Sequence, residues 1–270
     1  MTTPTRPTKS QRREDARAAA DRLRAEQERK NRRQRNIVIG AVVATVAILA
    51  VVISLILGEE SRSALEEVTL RPQGSTLSGA IPVGPEGVAG TTEGAPDDAV
   101  VVSVYSDYLC GHCASFEDLN ASTLAELRES GEIVVEYHTI ALYSDSPPDM
   151  QLASAAALIA DRAPASFLDF HHAAMAYQET VTAQGAISDA EIAEIARGVG
   201  VEDEVVAVIE SSEYMTGDQS YAPWVSAATD QASQDLGRLA TPTILINGEK
   251  YEGNWQVDGW LTEAIAASRG

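Results

Sequence analysis

Two cysteines three residues apart are the residues of this chain whose types and spacing most directly suggest chemistry. Cys110 and Cys113 are the only cysteines among 270 residues, and Gly111 and His112 separate them in the stretch SDYLCGHCASFEDL. A strand is predicted to end before this stretch, and a helix is predicted to begin at it. Because the first turn of a helix has unpaired N–H groups and the positive end of the helix dipole, Cys110 is predicted to be stabilised as a thiolate. His112 adds a potential positive charge beside it.

The second cysteine is predicted to differ from the first in burial and acidity. Cys113 lies one turn into the predicted helix, where we expect it to be more buried and still within disulfide distance of Cys110. Each pH unit by which the thiolate of the reduced pair is stabilised makes the disulfide easier to reduce, by about 1.4 kcal/mol or ~30 mV. The pair therefore predicts a disulfide that oxidises other proteins.

Three other roles for the cysteine pair fit the sequence less well. A structural disulfide that closes so short a loop would stabilise the fold little. A zinc site needs further ligands, but His138, His171 and His172 come with neither a second C-x-x-C nor a matching spacing. Haem attachment requires C-x-x-C-H, and the residue after Cys113 is Ala114. The sequence therefore predicts no cofactor and no metal.

The segments around the cysteines predict a small α/β domain. The run AVVVSVY before the pair and the run IVVEYHT after its helix are typical of buried strands. SDAE at Ser188 predicts a capped helix, and Asn247-Gly248 predicts a hairpin turn. The order β–α–β, helices, β–β–α indicates one sheet with a helical insertion at about residues 145–237. The predicted elements are strand 99–105, helix 110–130, strand 133–139, helices 150–161, 165–177, from 188, 201–211 and 218–236, strand 242–246 and helix 257–268.

The charges of the chain are divided between a basic N-terminal segment and an acidic remainder. The formal net charge is −20, but residues 1–36 carry 12 basic and 5 acidic side chains, a net of +7. The remaining residues carry 8 basic and 35 acidic side chains, a net of −27. Because an acidic surface repels phosphate, the main domain is not expected to bind nucleic acid.

An uncharged stretch, IVIGAVVATVAILAVVISLIL at residues 37–57, separates these two parts. As a helix it would be about as long as the ~30 Å hydrocarbon core of a bilayer. The preceding RKNRRQR predicts a cytoplasmic N-terminus, and the residues that follow offer no small-x-small cleavage site. The sequence thus predicts a single-pass protein of the cell membrane with a basic cytoplasmic tail at 1–36, a transmembrane helix at 37–57, an extracytoplasmic linker rich in Gly, Pro and Ser at 58–96 and a catalytic domain at 97–270.

Two separated motifs of this domain resemble the signatures of thioredoxin-fold proteins of the DsbA type. DAVVVSVYSDYLCGHCASFEDL and, far downstream, LATPTILINGEKYEG occur in the expected order, and the likeness covers about residues 97–268. The resemblance implies that Cys110 is the exposed nucleophile and Cys113 the resolving cysteine. It also implies that Pro242 is the cis-proline of that family and that the substrate peptide binds at Thr241, Pro242 and Gly111.

The chain departs from the DsbA pattern in two places. Its Gly-His dipeptide resembles protein disulfide isomerases rather than the Pro-His of typical DsbA proteins. Many relatives also carry a buried acid six residues before the first cysteine, where this chain has Val104. If neither Asp107 nor Glu136 replaces that acid, proton transfer to and from Cys113 must go through water or another group.

The predicted function is an extracytoplasmic thiol–disulfide oxidoreductase that introduces disulfides into reduced exported polypeptides. The resemblance further implies a membrane quinone-linked oxidase as the partner that regenerates the disulfide. A reductase or isomerase of exported proteins is the second interpretation of the same residues, because the reduction potential decides the direction of exchange. A tethered binding module with an inert structural disulfide is the third.

Overall fold

A computed structural model describes residues 63–143 and 147–269, together with residues 27, 29, 30 and 49. The predicted membrane helix at 37–57 and the predicted cytoplasmic tail therefore lie almost wholly outside the described residues. In the part of the chain that the structure describes, no helix is both long enough and apolar enough to cross a bilayer. The sheet and the helices around it belong to one unit that begins at Ser63.

A mixed sheet forms the centre of this unit. Its strands are β1 Ile81–Val83, β2 Val100–Ser106, β3 Ile133–Thr139, β4 Thr243–Ile246 and β5 Glu249–Lys250. They are arranged in the order β1-β3-β2-β4-β5. Strands β2 and β3 run parallel, whereas β1 pairs antiparallel with β3, β4 with β2 and β5 with β4.

Helices connect the strands and cover the sheet. In the described residues they are α1 Gly111–Glu129, α2 Pro147–Arg162, α3 Phe167–Ala176, α4 Gln178–Gln184, α5 Asp189–Gly198, α6 Asp203–Glu210, α7 Ala222–Leu236 and α8 Trp260–Ser268. The helices from α2 to α7 all lie between β3 and β4 in the chain. The predicted helical insertion in an α/β sheet is confirmed.

The central strand β2 determines where helix α1 begins. It pairs with β3 on one side and β4 on the other, with Val104 opposite both Tyr137 and Ile244. Val104 is buried, and the β-branched residues of this strand suit a position covered on both faces. The strand ends at Ser106, and a short turn connects it to Cys110, so the helix begins next to the middle of the sheet.

Two local sequence signals are confirmed at other element ends. Ser188 caps α5 in a capping box, in which its hydroxyl accepts the Glu191 N–H at 3.3 Å and the Glu191 carboxylate accepts the Ser188 N–H at 2.8 Å. Asn247 and Gly248 adopt φ angles of 49° and 81° in the turn between β4 and β5. Because both turn positions need positive φ, this dipeptide favours the observed hairpin.

The domain extends further toward the N-terminus than the predicted boundary at residue 97. Strand β1 lies within the stretch 58–96, whose composition predicted a linker, and it pairs with β3 so that Ile81 is opposite Tyr137. Leu65 and Ala80 are also buried. From residue 63 onward this stretch is a packed arm at the edge of the sheet, because strand pairing and apolar burial hold it in place.

Helix α1 is attached on two sides. Arg128, which is buried, donates from Nη1 to the carbonyl oxygens of Gly84 and Pro85 in the N-terminal arm, each at 2.8 Å. On another side, Trp260 Nε1 of α8 donates to Asn120 Oδ1 at 2.6 Å. The helix whose first turn carries the cysteines is therefore fixed by the arm and by the C-terminal helix as well as by the sheet.

We expect Arg128→Met to lower the free energy of unfolding by about 2–3 kcal/mol, because it leaves two carbonyl groups without their charged donor. Arg197→Met is the matched control. Arg197 pairs with Glu194 and Glu210 at the surface, where solvent screens the charges, so its loss should lower the free energy of unfolding much less. Urea denaturation followed by tryptophan fluorescence measures both variants. Equal losses in the two variants would contradict the role given to the arm contact.

Candidate active site

Cys110 occupies the N-cap position of α1. Its φ and ψ of −84° and 111° are those of an extended residue, and its carbonyl oxygen accepts the N–H groups of Cys113 at 2.9 Å and Ala114 at 3.1 Å. The Cys110 N–H donates to the carbonyl oxygen of Asp107 at 3.1 Å, which closes the turn from β2. Both thiols are free. The prediction that a helix begins at the cysteine pair is confirmed.

Hydrogen-bond donors converge on the Cys110 sulfur and lower its pKa to about 5. The Cys113 thiol has the largest effect, and the Thr241 hydroxyl and the backbone N–H groups of Cys113 and His112 act in the same direction. Together they outweigh the partial burial of the sulfur, which opposes ionisation. Because each donor stabilises the thiolate relative to the thiol, Cys110 is ionised at neutral pH.

Cys113 has the opposite character. Its side chain is 1% exposed and packs in the same apolar cluster as Val104 and Phe116. Burial raises the pKa of the Cys113 thiol far above its ordinary value, and the neighbouring Cys110 sulfur raises it further. Cys113 therefore keeps its proton and donates it in a hydrogen bond to the Cys110 thiolate. The two sulfurs are chemically distinct.

The loop before β4 lies against the cysteine pair. Thr241 is 131 residues from Cys110 in the chain, yet its carbonyl oxygen is 3.5 Å from the Cys110 sulfur. The peptide bond between Thr241 and Pro242 is cis. Gly111 and His112 are exposed in the first turn of α1, where the His112 backbone N–H contacts the Cys110 sulfur. The structure thus brings all the predicted site residues to one end of α1.

Two buried carboxyl groups lie near the cysteine pair. Asp107 and Asp149 are both 0% exposed. The N–H of Leu142 donates to Asp107 Oδ2 at 2.8 Å, and the next N–H, that of Tyr143, donates to Asp149 Oδ2 at 2.8 Å. Consecutive amides therefore hold the two carboxyl groups side by side. Burial raises the pKa of both, and the charge of Asp107 helps to raise the pKa of Asp149 to about 8, so the pair shares a proton at neutral pH.

Of the two acids that the sequence offered in place of Val104, Asp107 is the one near the cysteines. Its backbone N–H contacts the Cys113 sulfur. Glu136 accepts a hydrogen bond from the Ser103 hydroxyl at 2.8 Å. Val104 belongs to the same apolar cluster as Cys113, and successive strand residues point to opposite faces. Ser103 and its partner Glu136 therefore lie on the face of the sheet opposite to Val104.

The helical insertion contacts the loop that leads to Cys110, which the sequence did not indicate. Gln178 of α4 donates from Nε2 to the carbonyl oxygen of Leu109 at 2.9 Å. Tyr108 of the same loop has its hydroxyl oxygen 2.8 Å from Nδ1 of His171 in α3. These partners are 69 and 63 residues apart in the chain, so no local pattern pairs them. The insertion therefore helps to position the cysteine loop.

The family profile described as Thioredoxin matches residues 88–265. The chain belongs to the thioredoxin family. A comparison with curated proteins gives no match.

Several solved structures resemble this domain. MdbA from Actinomyces oris, a thiol-disulfide oxidoreductase, is 23% identical with a TM-score of 0.61, over 77% of this chain and 97% of that one. Reduced DsbA from Mycobacterium tuberculosis is 26% identical with a TM-score of 0.55, over 71% and 93%. Oxidised BdbD from Bacillus subtilis is 19% identical with a TM-score of 0.55, over 74% and 98%. The predicted resemblance to DsbA-type proteins is confirmed, and these neighbours are consistent with an oxidoreductase.

We expect the thiolate of this thioredoxin-family site to depend measurably on the Thr241 hydroxyl. Thr241→Val removes that donor and should raise the pKa of Cys110 by roughly half to one pH unit. Thr241→Ser keeps the hydroxyl and should leave the pKa near its original value of about 5. Ultraviolet absorbance of the thiolate during a pH titration measures the value. Identical titrations of the Val and Ser variants would exclude the hydroxyl as a donor.

We expect Asp149 to make the stability of the reduced protein decline with pH. Because folding raises the pKa of Asp149 from 3.8 to about 8, its contribution is complete below about pH 4 and is lost as the pH rises through about 8. Asp149→Asn does not titrate, so its free energy of unfolding should fall less than that of the wild type across this range. Urea denaturation at several pH values tests this, with Asp203→Asn, the same substitution at an exposed site, as the matched control. Parallel profiles for the wild type and Asp149→Asn would refute it.

Proposed function

We propose that this protein is an extracytoplasmic thiol–disulfide oxidoreductase that introduces disulfides into exported proteins. The observation that carries the proposal is the opposite displacement of two pKa values within one C-x-x-C pair. The pKa of Cys110 is lowered to about 5, whereas that of Cys113 is raised. Such a pair has one sulfur that attacks and leaves readily and one that holds a proton. The similarity to thiol-disulfide oxidoreductases of solved structure supports the same chemistry.

The reaction begins with a disulfide between Cys110 and Cys113. A thiolate of the reduced substrate attacks Cys110 Sγ, because this sulfur is half-buried whereas Cys113 is enclosed. A bond forms between the substrate sulfur and Cys110 as the Cys110–Cys113 bond breaks, and the electron pair leaves on Cys113. Since burial disfavours a charged Cys113, that sulfur must take up a proton at this step.

In the proposed reaction the Asp107–Asp149 pair supplies this proton. The backbone N–H of Asp107 contacts the Cys113 sulfur, and the carboxyl groups of Asp107 and Asp149 are held by neighbouring amides, which supports this role. The pair holds one proton at neutral pH, and its pKa lies below that of the Cys113 thiol, so transfer toward the sulfur is downhill. The charge left on the pair is stabilised by the N–H groups of Leu142 and Tyr143. A proton on Asp149 thus allows a buried sulfur to act as a leaving group.

The second substrate thiolate completes the exchange. It attacks the substrate sulfur of the mixed disulfide, so that the substrate disulfide forms and Cys110 leaves as a thiolate stabilised at the end of α1. The substrate has then lost two electrons, and the enzyme pair has gained them. A membrane quinone-linked oxidase, the proposed partner, takes two electrons from the reduced pair. Because Cys110 is already a thiolate, only Cys113 gives up a proton as the disulfide forms again.

The acidity of Cys110 favours oxidation of substrates over their reduction. Stabilising the thiolate stabilises the reduced pair, which makes its disulfide a stronger oxidant. DsbA combines a cysteine pKa of about 3.5 with about −120 mV, whereas thioredoxin combines about 7 with about −270 mV. A Cys110 pKa of about 5 lies between them. We therefore propose a potential of roughly −150 to −200 mV.

The location is proposed from the sequence. The basic residues 1–36, the uncharged residues 37–57 and the acidic remainder support a single membrane-spanning segment with the enzyme domain outside the cytoplasm. Disulfides form and persist in that oxidising space, which suits a cysteine pair that oxidises exported polypeptides.

The Cys113→Ala variant tests whether exported proteins are the substrates. We expect mixed disulfides between exported proteins and Cys110 to accumulate in intact cells, because the Cys110 thiolate can still attack a substrate disulfide while Cys113 is absent and cannot release the product. Non-reducing gels of trapped cells measure the adducts. The variant that also carries Cys110→Ala should show none. The absence of adducts in the single variant would count against the proposed substrates.

The reduction potential of the pair tests the direction of exchange. Equilibration of the intact chain with glutathione should give roughly −150 to −200 mV. A value near about −270 mV would identify a reductase of exported proteins instead. A pair whose Cys110 titrates like an ordinary thiol would point to an inert structural disulfide.

A further inference from the structure

A groove beside Cys110 is lined by hydrogen-bond acceptors and has no part in the thiol chemistry. It has a volume of about 330 Å³ and lies between the first turns of α1 and the junction of α3 and α4. Gly111, the residue after Cys110, forms one edge of this groove, which we call the Gly111 groove. The lining residues that matter here are Gly111, Glu117, Asp118, His172, Gln178 and Glu179.

The first acceptor is the carboxylate of Glu117. The residue is only 6% exposed, yet its oxygens are 3.7 Å from Nε2 of His171 and 3.6 Å from Nδ1 of His172, longer than hydrogen bonds. Burial disfavours its charge, but the two histidines outweigh burial and lower the pKa of Glu117 to about 2. An ionised carboxylate has about four lone-pair positions, so Glu117, although paired with two histidines, keeps acceptor positions open toward the groove.

The second acceptor is the side-chain oxygen of Gln178, which is also only 6% exposed. Its Nε2 donates to the carbonyl oxygen of Leu109 at 2.9 Å and to Thr182 Oγ1 at 2.8 Å. Because a carbonyl can only accept, this contact fixes which end of the amide is nitrogen. Among the hydrogen bonds of residues 63–143 and 147–269, Gln178 Oε1 accepts none, and a Cβ built on Gly111 would be 3.8 Å from it.

The rim of the groove adds negative charge and little competition. Asp118 and Glu179 are exposed acids on its two sides. The Ser115 hydroxyl, a donor in the wall, already donates to the carbonyl oxygen of Gly111 at 2.9 Å. His172, the one histidine of the lining, already pairs with Glu117, and three carboxylates outnumber it. A ligand that fills the Gly111 groove must therefore bring its own donors, and a cation suits the net negative charge.

We propose that the Gly111 groove receives a lysine or arginine side chain of the substrate polypeptide, close in sequence to the cysteine that Cys110 attacks. This inference rests on the proposed function, because it specifies the substrates of that reaction. A guanidinium group carries five donors and no acceptor, which complements the unfilled oxygens of Glu117 and Gln178. Gly111 has no side chain to close the path from the sulfur to the groove.

Matched peptides test the preference. Each peptide contains two cysteines, with arginine one, two or three residues from the first cysteine, or with citrulline, its neutral isostere, in the same place. We expect the oxidised protein to convert the best arginine peptide about fivefold to tenfold faster, measured as kcat/KM, than its citrulline counterpart at low salt. The advantage should shrink as salt is added, since part of it is Coulombic.

Variants assign the preference to the groove. Asp118→Asn with Glu179→Gln removes the rim charges, and Glu117→Gln removes the buried one, so each should bring the arginine-to-citrulline ratio toward one. Glu126→Gln removes an exposed acid of α1 outside the groove and should keep the wild-type ratio. The double rim variant changes exposed residues only, so it reports on the groove even where Glu117→Gln fails to fold.

The outcomes separate the inference from the function on which it rests. Equal oxidation of both peptides by the wild type would overturn the groove as a subsite and leave the oxidase intact. An arginine preference that survives in the rim variant and in Glu117→Gln would overturn it as well, because the net charge of the chain would then explain it. Oxidation of neither peptide would reject the proposed function and the inference with it.

Discussion

The amino end of α1 is the constraint on which the reactive centre depends, because it holds one sulfur among several hydrogen-bond donors. The donors come from distant parts of the chain: the backbone of the first turn, the Cys113 thiol and the Thr241 hydroxyl. They can meet only because β2 and β4 are neighbours in the sheet, which brings the end of one strand and the start of the other to the same place. The sheet order thus sets the acidity of Cys110.

The acidic Cys110 sulfur can exchange disulfides only if the Cys113 sulfur can act as a leaving group. The burial of Cys113 makes that step difficult. Placing Cys113 in the apolar core prevents it from competing as a nucleophile, but a charge on it there is strongly disfavoured. The buried carboxyl pair of Asp107 and Asp149 addresses this difficulty by holding a proton nearby. Burying the two carboxyl groups costs free energy. Backbone N–H groups that donate hydrogen bonds to both acids offset part of that cost.

The parts of this structure that local patterns determine were predictable from the sequence. Strand β2, the start of α1 at Cys110 and the capped helix at Ser188 all follow from β-branched runs, helix ends and capping chemistry. Strand β1 was not predictable, because the short IPV segment owes its pairing to β3 rather than to its own composition. Asp149 follows two prolines just before the predicted helix at 150–161, and only its burial beside Asp107 gives it a role. Long-range contacts, which one sequence does not display, decide both cases.

Helix α1 carries two opposite electrostatic environments, which are the hydrogen-bond donors at Cys110 and the acidic side chains of the Gly111 groove. The distance between them keeps one from cancelling the other. Ionised acids close to a thiolate would raise its pKa. The first turn of α1 has no acidic residue, and of the two buried acids near Cys110, Asp149 has its pKa raised to about 8 and so is mostly uncharged at neutral pH. Glu117 lies six residues beyond Gly111, roughly 9 Å along the axis, and His171 and His172 face its charge. The N–H donors at Cys110 are therefore not opposed by the acceptors of the Gly111 groove. One end of a single helix can in this way stabilise an anion at its tip and attract a cation along its side.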